Sequence, residues 1–403
     1  MTTPQGELAD QALAAFSLAA PITDQPSRAV SVPEPNEKWP LPHGEAWVFR
    51  GEGNDEITRP VLMADGFNVG KSELDKFAQG LDAEFPLLST LRHQQRDVIL
   101  IGFDERSASI TVNADTVIAA IQRTLAQRIG DARLTVGGFS MGGLVTRYAL
   151  AKLENDLGFD HETDLYFSFD SPHRGASVPV GIQAFAHLIP FPNKFAKQMN
   201  SPAARQLLWQ HYDPATKEIG VAPERTAFLA ELARVGNWPR RPRVIGVANG
   251  RGDGIGLPEV KPGDVGLELK KSYKGSMFLI TARGDGAKAA DLYRAFPKEE
   301  QHVTTDGFPE LDGAPGGTLH TYKILADTLK DTEALKHPNI CFVPTVSAVA
   351  VRDIATQADL YAKVDDIDPS ESELDDFRVS SSTTGHTIVT EELATFLVER
   401  LPE

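Results

Sequence analysis

The chain has 403 residues, 41% of them hydrophobic and 24% charged, with 40 Lys and Arg against 56 Asp and Glu for a formal charge of −16. That balance excludes a disordered chain and leaves a folded protein of one elaborated domain or two. The acidic surplus repels phosphate backbones and anionic membrane surfaces, so nucleic acid is not expected as a partner.

The 33 glycines and 27 prolines are scattered, so neither a low-complexity tract nor a repeat of fixed period is present. Met1 to Ala20 has no basic n-region and carries Glu7 and Asp10 before an Ala/Leu stretch, which reads as a short amphipathic helix rather than a signal peptide. No apolar run reaches the length of a membrane span, so stable membrane insertion is not expected and the cytoplasm is the expected compartment. Residues 21–45 hold Pro21, Pro26, Pro33, Pro35, Pro40 and Pro42 and predict an extended arm.

From Pro60 onward, short apolar runs alternate with helical periods. Val61-Leu62-Met63-Ala64, Val98-Ile99-Leu100-Ile101, Leu134-Thr135-Val136-Gly137 and Leu165-Tyr166-Phe167-Ser168-Phe169 read as strands. Thr116 to Gln127 and Leu144 to Leu157 read as helices between them. Continuous apolar strands alternating with helices predict a parallel sheet covered on both faces. After Pro172 the alternation stops. Residues 175–240 read as a mostly helical cap, Val244 to Val247 as a further strand, and residues 251–335 as a Gly-rich insertion with a hairpin near Ser276 to Leu292. The chain closes with the run Phe342 to Val346, an acidic stretch from Asp365 to Asp376, a short strand near Phe377 to Ser380 and a helix over Glu391 to Leu401. The predicted organisation is thus an arm over 1–45 and one catalytic domain over 46–403, carrying insertions at about 175–240 and 251–335.

Within this pattern Gly138-Phe139-Ser140-Met141-Gly142 stands between a strand and a helix. A serine exposed on so sharp a turn needs small neighbours, and the helix start supplies N–H groups and a positive dipole end beside it. Ser140 is therefore the candidate nucleophile. An oxyanion needs two backbone donors. Met141 N–H, directly after the serine, is one, and Phe67 N–H in the loop Asp65-Gly66-Phe67 is the expected other.

In a site built on such an elbow the partners follow in the order serine, acid, histidine. His386, in the loop Thr383-Thr384-Gly385 before the last helix, is the candidate general base. His320 and His337 lie in or beside an insertion, and His173 reads as loop scaffolding. For the acid, Asp170 ends the strand Phe167-Ser168-Phe169, while Asp253 follows the next strand and Asp285 lies in the expected hairpin. Asp170 is preferred, with Asp253 left open.

Gly-Phe-Ser-Met-Gly-Gly-Leu-Val-Thr-Arg-Tyr (138–148) and Phe169-Asp170-Ser171-Pro172-His173-Arg174-Gly175-Ala176 resemble the elbow and post-strand loop of α/β-hydrolase lipases and esterases. The resemblance runs from about Pro60 to Leu401. It implies hydrolysis of a small-molecule or lipid-like ester through an acyl-enzyme, with Ser140 and His386 carried over by motif. Two departures stand out. Asp65-Gly66 occupies a place where many members have His-Gly, and many relatives have a non-acidic residue at the position of Asp170, although pancreatic-type lipases place their acid there.

Val178 to Phe191 follows the strand Leu165 to Phe169, where its apolar face lines an acyl pocket or packs as core. Cys341, the single cysteine, excludes an intrachain disulfide and a Cys-rich zinc site, and reads as a buried thiol. Asp365, Asp366, Asp368, Glu371 and Glu373 read as a solvated charge run rather than a Ca²⁺ loop, so no metal and no cofactor are expected. Two alternatives share the scaffold: acyl transfer to an alcohol or amine, and a catalytically silent binding protein. Oligomeric state is not encoded in these patterns.

Overall fold

Eight strands form the central sheet: β1 (Glu37–Leu41), β2 (Gly44–Phe49), β3 (Pro60–Ala64), β4 (Asp97–Phe103), β5 (Leu134–Phe139), β6 (Thr163–Phe169), β7 (Arg243–Ala248) and β8 (Asp376–Val379). The computed structural model describes residues 30–403, so the helix expected over 1–20 and the first part of the arm lie outside the described residues. Across the sheet the order is β1-β2-β4-β3-β5-β6-β7-β8. The two pairings of β2 are antiparallel and all others are parallel. This is the α/β-hydrolase topology, mostly parallel with an antiparallel edge.

The central strands are buried throughout, which is why their sequences are unbroken apolar runs rather than alternating ones. Successive side chains still separate by face. Leu62, Ala64, Ile99, Ile101 and Val136 join one core, while Val61, Met63, Val98, Leu100 and Phe139 join the other. The first core is closed by α3 (Ile110–Gln127) and α4 (Met141–Asn155). The second is closed by α1 (Leu74–Leu81), α2 (Leu87–His93) and the last helix, Glu391–Val398.

The strand order sets where a site can form. β3 lies between β4 and β5, so the chain leaves β3 to one side for β4 and returns on the other side as β5. Loops at the carboxyl ends of β3 and β5 diverge there and open a crevice at a topological switch point. Phe67 follows β3 and Ser140 follows β5.

The arm expectation needs correction. Residues 37–49 form the β1–β2 hairpin, with Trp39 opposite Ala46 and Pro40 opposite Glu45. The prolines concealed it, yet an edge strand tolerates a residue without an N–H.

Between β6 and β7 the chain is largely helical, with helices Val180–Leu188, Lys194–Met199, Pro202–Leu207 and Pro223–Arg234. Between β7 and β8 it forms a four-stranded antiparallel sheet of Val265–Glu268, Met277–Leu279, Ala287–Arg294 and Glu299–Thr305, and a separate ladder of Gly316–Leu319 with Ile340–Pro344. The expected single hairpin near 276–292 is therefore part of a larger sheet. The helix Val180–Leu188 packs on that sheet: Phe185 meets Tyr273 and Phe278 with ring centroids 5.1 and 5.4 Å apart. Of the two roles open to Val178 to Phe191, this helix takes core packing.

Candidate active site

The elbow is built by close approach. A Cβ on Gly138 would lie 2.3 Å from the Gly142 carbonyl carbon, and one on Gly142 would lie 2.3 Å from the Ala64 carbonyl oxygen. Only glycine lets α4 start so tightly against β3 and β5. Ser140 between them takes φ 54°, ψ −123°, a strained conformation for a residue with a side chain. Its N–H is held by the Phe169 carbonyl at 2.9 Å.

Register then places the acid. Phe139 pairs with Phe169 across β5 and β6, and their rings stack with centroids 4.8 Å apart. Ser140 and Asp170 are thus the next residues on neighbouring strands. Asp170 also takes positive φ (48°), and its N–H donates to Val247 O at 2.8 Å. His386 arrives from the loop before the last helix, whose first turn is capped by Thr390. His386 Nδ1 lies 2.7 Å from Asp170 Oδ2, and Nε2 lies 2.7 Å from Ser140 Oγ. All three side chains are buried, and Ser140 is 5% exposed. A carboxylate at Nδ1 fixes the proton there and leaves Nε2 to accept from the serine hydroxyl.

Met141 N–H is the first of the helix-start donors that have no intrahelical acceptor. Gly66, next to Phe67, brings the β3 loop against the serine: a Cβ there would lie 3.2 Å from Ser140 Cβ. That loop is braced from behind. Asp65 is fully buried with Arg106 at 3.7 Å, and Asp65 Oδ1 accepts from Gly66 N–H at 2.7 Å. Burial raises the Asp65 carboxyl above its usual range, partly offset by Arg106. Arg106 N–H in turn donates to Gly70 O at 3.0 Å.

The other residues singled out in the sequence lie elsewhere in the network. Asp253 pairs with Arg251 and caps Ile255 N–H, with no bond to His386. Asp285 belongs to a turn before the strand Ala287–Arg294. His320 bonds Asn339, and His337 lies 3.8 Å from Asp264. His173 Nε2 lies 3.0 Å from Ser168 Oγ and its ring packs on Trp238; burial, with Arg147 and Arg174 nearby, pushes its pKa well below the ordinary value, so it stays neutral. Cys341 is buried, and burial pushes its thiol well up. In the acidic stretch, Asp376 is taken by Arg243 and Arg400, and Asp368 caps Ser370. Among the described residues no group of three His, Cys, Asp or Glu side chains could hold a metal ion, and no helix is long and apolar enough to cross a membrane.

Three contacts at the site were not read from sequence. Phe342 sets its ring against His386, Thr318 O accepts from His386 N–H at 2.9 Å, and Asn249 N–H donates to Asp170 Oδ1 at 3.0 Å. The first two come from the ladder of Gly316–Leu319 with Ile340–Pro344. A Cβ on its Gly317 would lie 2.0 Å from Asp170 Oδ2. Sequence offers no signal for partners so distant in the chain, although Asn249 at the end of a strand is a position where functional groups gather.

No family model matches the chain, and no curated protein is similar to it in sequence. Solved structures similar to it include the mature lipase BlEst2 of Bacillus licheniformis, 13% identical over 51% of this chain and 72% of that one, with a TM-score of 0.33. The thermophilic carboxylesterase EstE1 from a metagenomic library is 12% identical over 60% of this chain and 74% of its own, with a TM-score of 0.33. Carboxyl esterase 2 of the mycorrhizal fungus Tuber melanosporum is 15% identical over 61% and 79%, with a TM-score of 0.32. In its strand order and its strand–elbow–helix turn, the chain has the α/β-hydrolase fold.

Proposed function

We propose that this protein hydrolyses carboxylic esters of small-molecule or lipid-like substrates through an acyl-enzyme on Ser140. The observation that carries the reading is the pair of 2.7 Å contacts made by His386, one ring nitrogen on Ser140 and the other on Asp170. His386 Nε2 takes the hydroxyl proton as Ser140 Oγ forms a bond to the ester carbonyl carbon. The negative charge that develops on the carbonyl oxygen is met by Met141 and Phe67 N–H groups, aided by the start of α4. The C–O bond to the alcohol then breaks, and the imidazolium returns its proton to the departing oxygen. Water repeats the sequence on the acyl-serine, releasing the acid and free Ser140. Asp170 keeps its charge throughout, holding the ring and stabilising the imidazolium.

The test is turnover of p-nitrophenyl esters by Ser140→Ala. The reading requires a loss of about a thousandfold or more in kcat, and near-wild-type turnover in the variant would refute it.

A further inference from the structure

Asn249 follows β7 and is fully buried, and its hydrogen bonds run in three directions at once. Its backbone N–H donates to Asp170 Oδ1 at 3.0 Å, the carboxylate oxygen that His386 does not use. Its side-chain Nδ2 donates to Thr384 Oγ1 at 2.8 Å and to Ile388 O at 2.8 Å. Those acceptors flank His386 on either side in the chain. Asn249 O completes the contact by accepting from Thr384 N–H at 3.0 Å.

We infer that Asn249 is a positioning residue that clamps the His386 loop against Asp170 and so keeps Nε2 on Ser140 Oγ. This rests on the ester-hydrolase reading of Ser140, His386 and Asp170. Proton transfer needs the base within hydrogen-bond reach, and small misplacements of a reacting group are expensive in rate. The opposite flank of the loop is held by backbone bonds, His386 N–H to Thr318 O at 2.9 Å and Thr318 N–H to Thr384 O at 3.1 Å. A side-chain substitution at Asn249 therefore loosens one flank and leaves the other in place.

The test combines steady-state kinetics on p-nitrophenyl esters with proton NMR of the imidazole N–H shared by His386 and Asp170. Asn249→Ala should lower kcat about 10–100-fold with KM changed less than about threefold, and should broaden the downfield N–H resonance through exchange with water. Thr384→Val, which removes one acceptor of the clamp, should lower kcat by a smaller factor. The double variant should fall no further than about twofold below Asn249→Ala, because the two residues act through one contact. A kcat within about twofold of wild type with an unchanged resonance in Asn249→Ala would overturn the inference. Should that variant fail to fold, Thr384→Val decides it by the same two readouts. If the wild type shows no Ser140-dependent turnover, the hydrolase reading fails, while the resonance still reports whether Asn249 holds His386.

Discussion

The ring of Phe342 lies edge-on to the imidazole of His386, with centroids 4.8 Å apart and an interplanar angle of 72°. Phe342 comes from the strand Ile340–Pro344, beyond the insertion expected over 251–335, and its carbonyl accepts from Ser177 N–H in the cap. The cap and the long connection between β7 and β8 therefore both bear on the histidine. Phe342→Ala should cost about 1–2 kcal/mol of stability, since the ring is only half-buried, and should lower kcat/KM about tenfold or less. Phe342→Leu should recover most of both. Thermal melts and ester kinetics on the pair check this, and an Ala variant with wild-type kinetics would remove Phe342 from the account.

The acid is tested by comparing two carboxylates. Asp170→Asn keeps the shape of the side chain but lets the imidazole take the wrong tautomer, and kcat should fall by about 10⁴, the loss the same change gives in a serine protease triad. Asp253 is ion-paired with Arg251, which holds its carboxyl below the usual range, and it makes no bond to His386. Asp253→Asn should leave kcat within about twofold of wild type. The reverse pattern would move the acid to Asp253.

The elbow glycines make a stability prediction. A methyl on Gly142 meets the Ala64 carbonyl at 2.3 Å, and backbone cannot withdraw as a side-chain tip can. Gly142→Ala should cost about 1–3 kcal/mol or more by overpacking, seen as a lowered Tm, and should reduce turnover at the same time. An unchanged Tm would show that α4 does not sit as tightly on β3 as described.

Asp312 provides a pH signature away from the site. It is fully buried, its Oδ2 accepts from Thr281 N–H at 2.8 Å and Thr281 Oγ1 at 2.9 Å, and burial pushes its carboxyl up to about 6. The folded state therefore keeps this proton between pH 3.8 and about 6, where the unfolded chain has released it. Its contribution is full below the lower value and is lost as pH rises through the upper one, by about 3 kcal/mol at most. In Asp312→Asn that loss should disappear. Denaturation midpoints from pH 4 to 7 should favour the variant increasingly as pH rises, and parallel pH profiles for the two proteins would contradict the assignment.

Much of the sheet was legible because β3 to β6 are buried on both faces and so spell unbroken apolar runs. The elbow turn that carries Ser140 was legible because it demands small residues at fixed offsets, and the loop that carries His386 because it stands before the terminal helix. The preference for Asp170 over Asp253 rests on the Gly-rich loop around Asp253 and on the resemblance to pancreatic-type lipases, and the register of Phe139 with Phe169 puts Asp170 beside Ser140. What stayed hidden depends on contacts that periodicity does not carry. The β1–β2 hairpin was masked by its prolines. In the insertion sheet Glu299–Thr305 is polar at every position but Val303, so the hairpin it forms with Ala287–Arg294 spells no apolar run. Thr318 and Phe342 reach His386 from far along the chain, through a ladder that no local pattern announces.

The central claim is that Ser140 is a nucleophile activated by His386. It is tested most directly by treating the folded protein with a fluorophosphonate and locating the adduct by peptide mass spectrometry. The account predicts a single adduct on Ser140, absent from Ser140→Ala and slowed by orders of magnitude in His386→Ala. An unlabelled wild-type protein, or labelling that persists in Ser140→Ala, would contradict it.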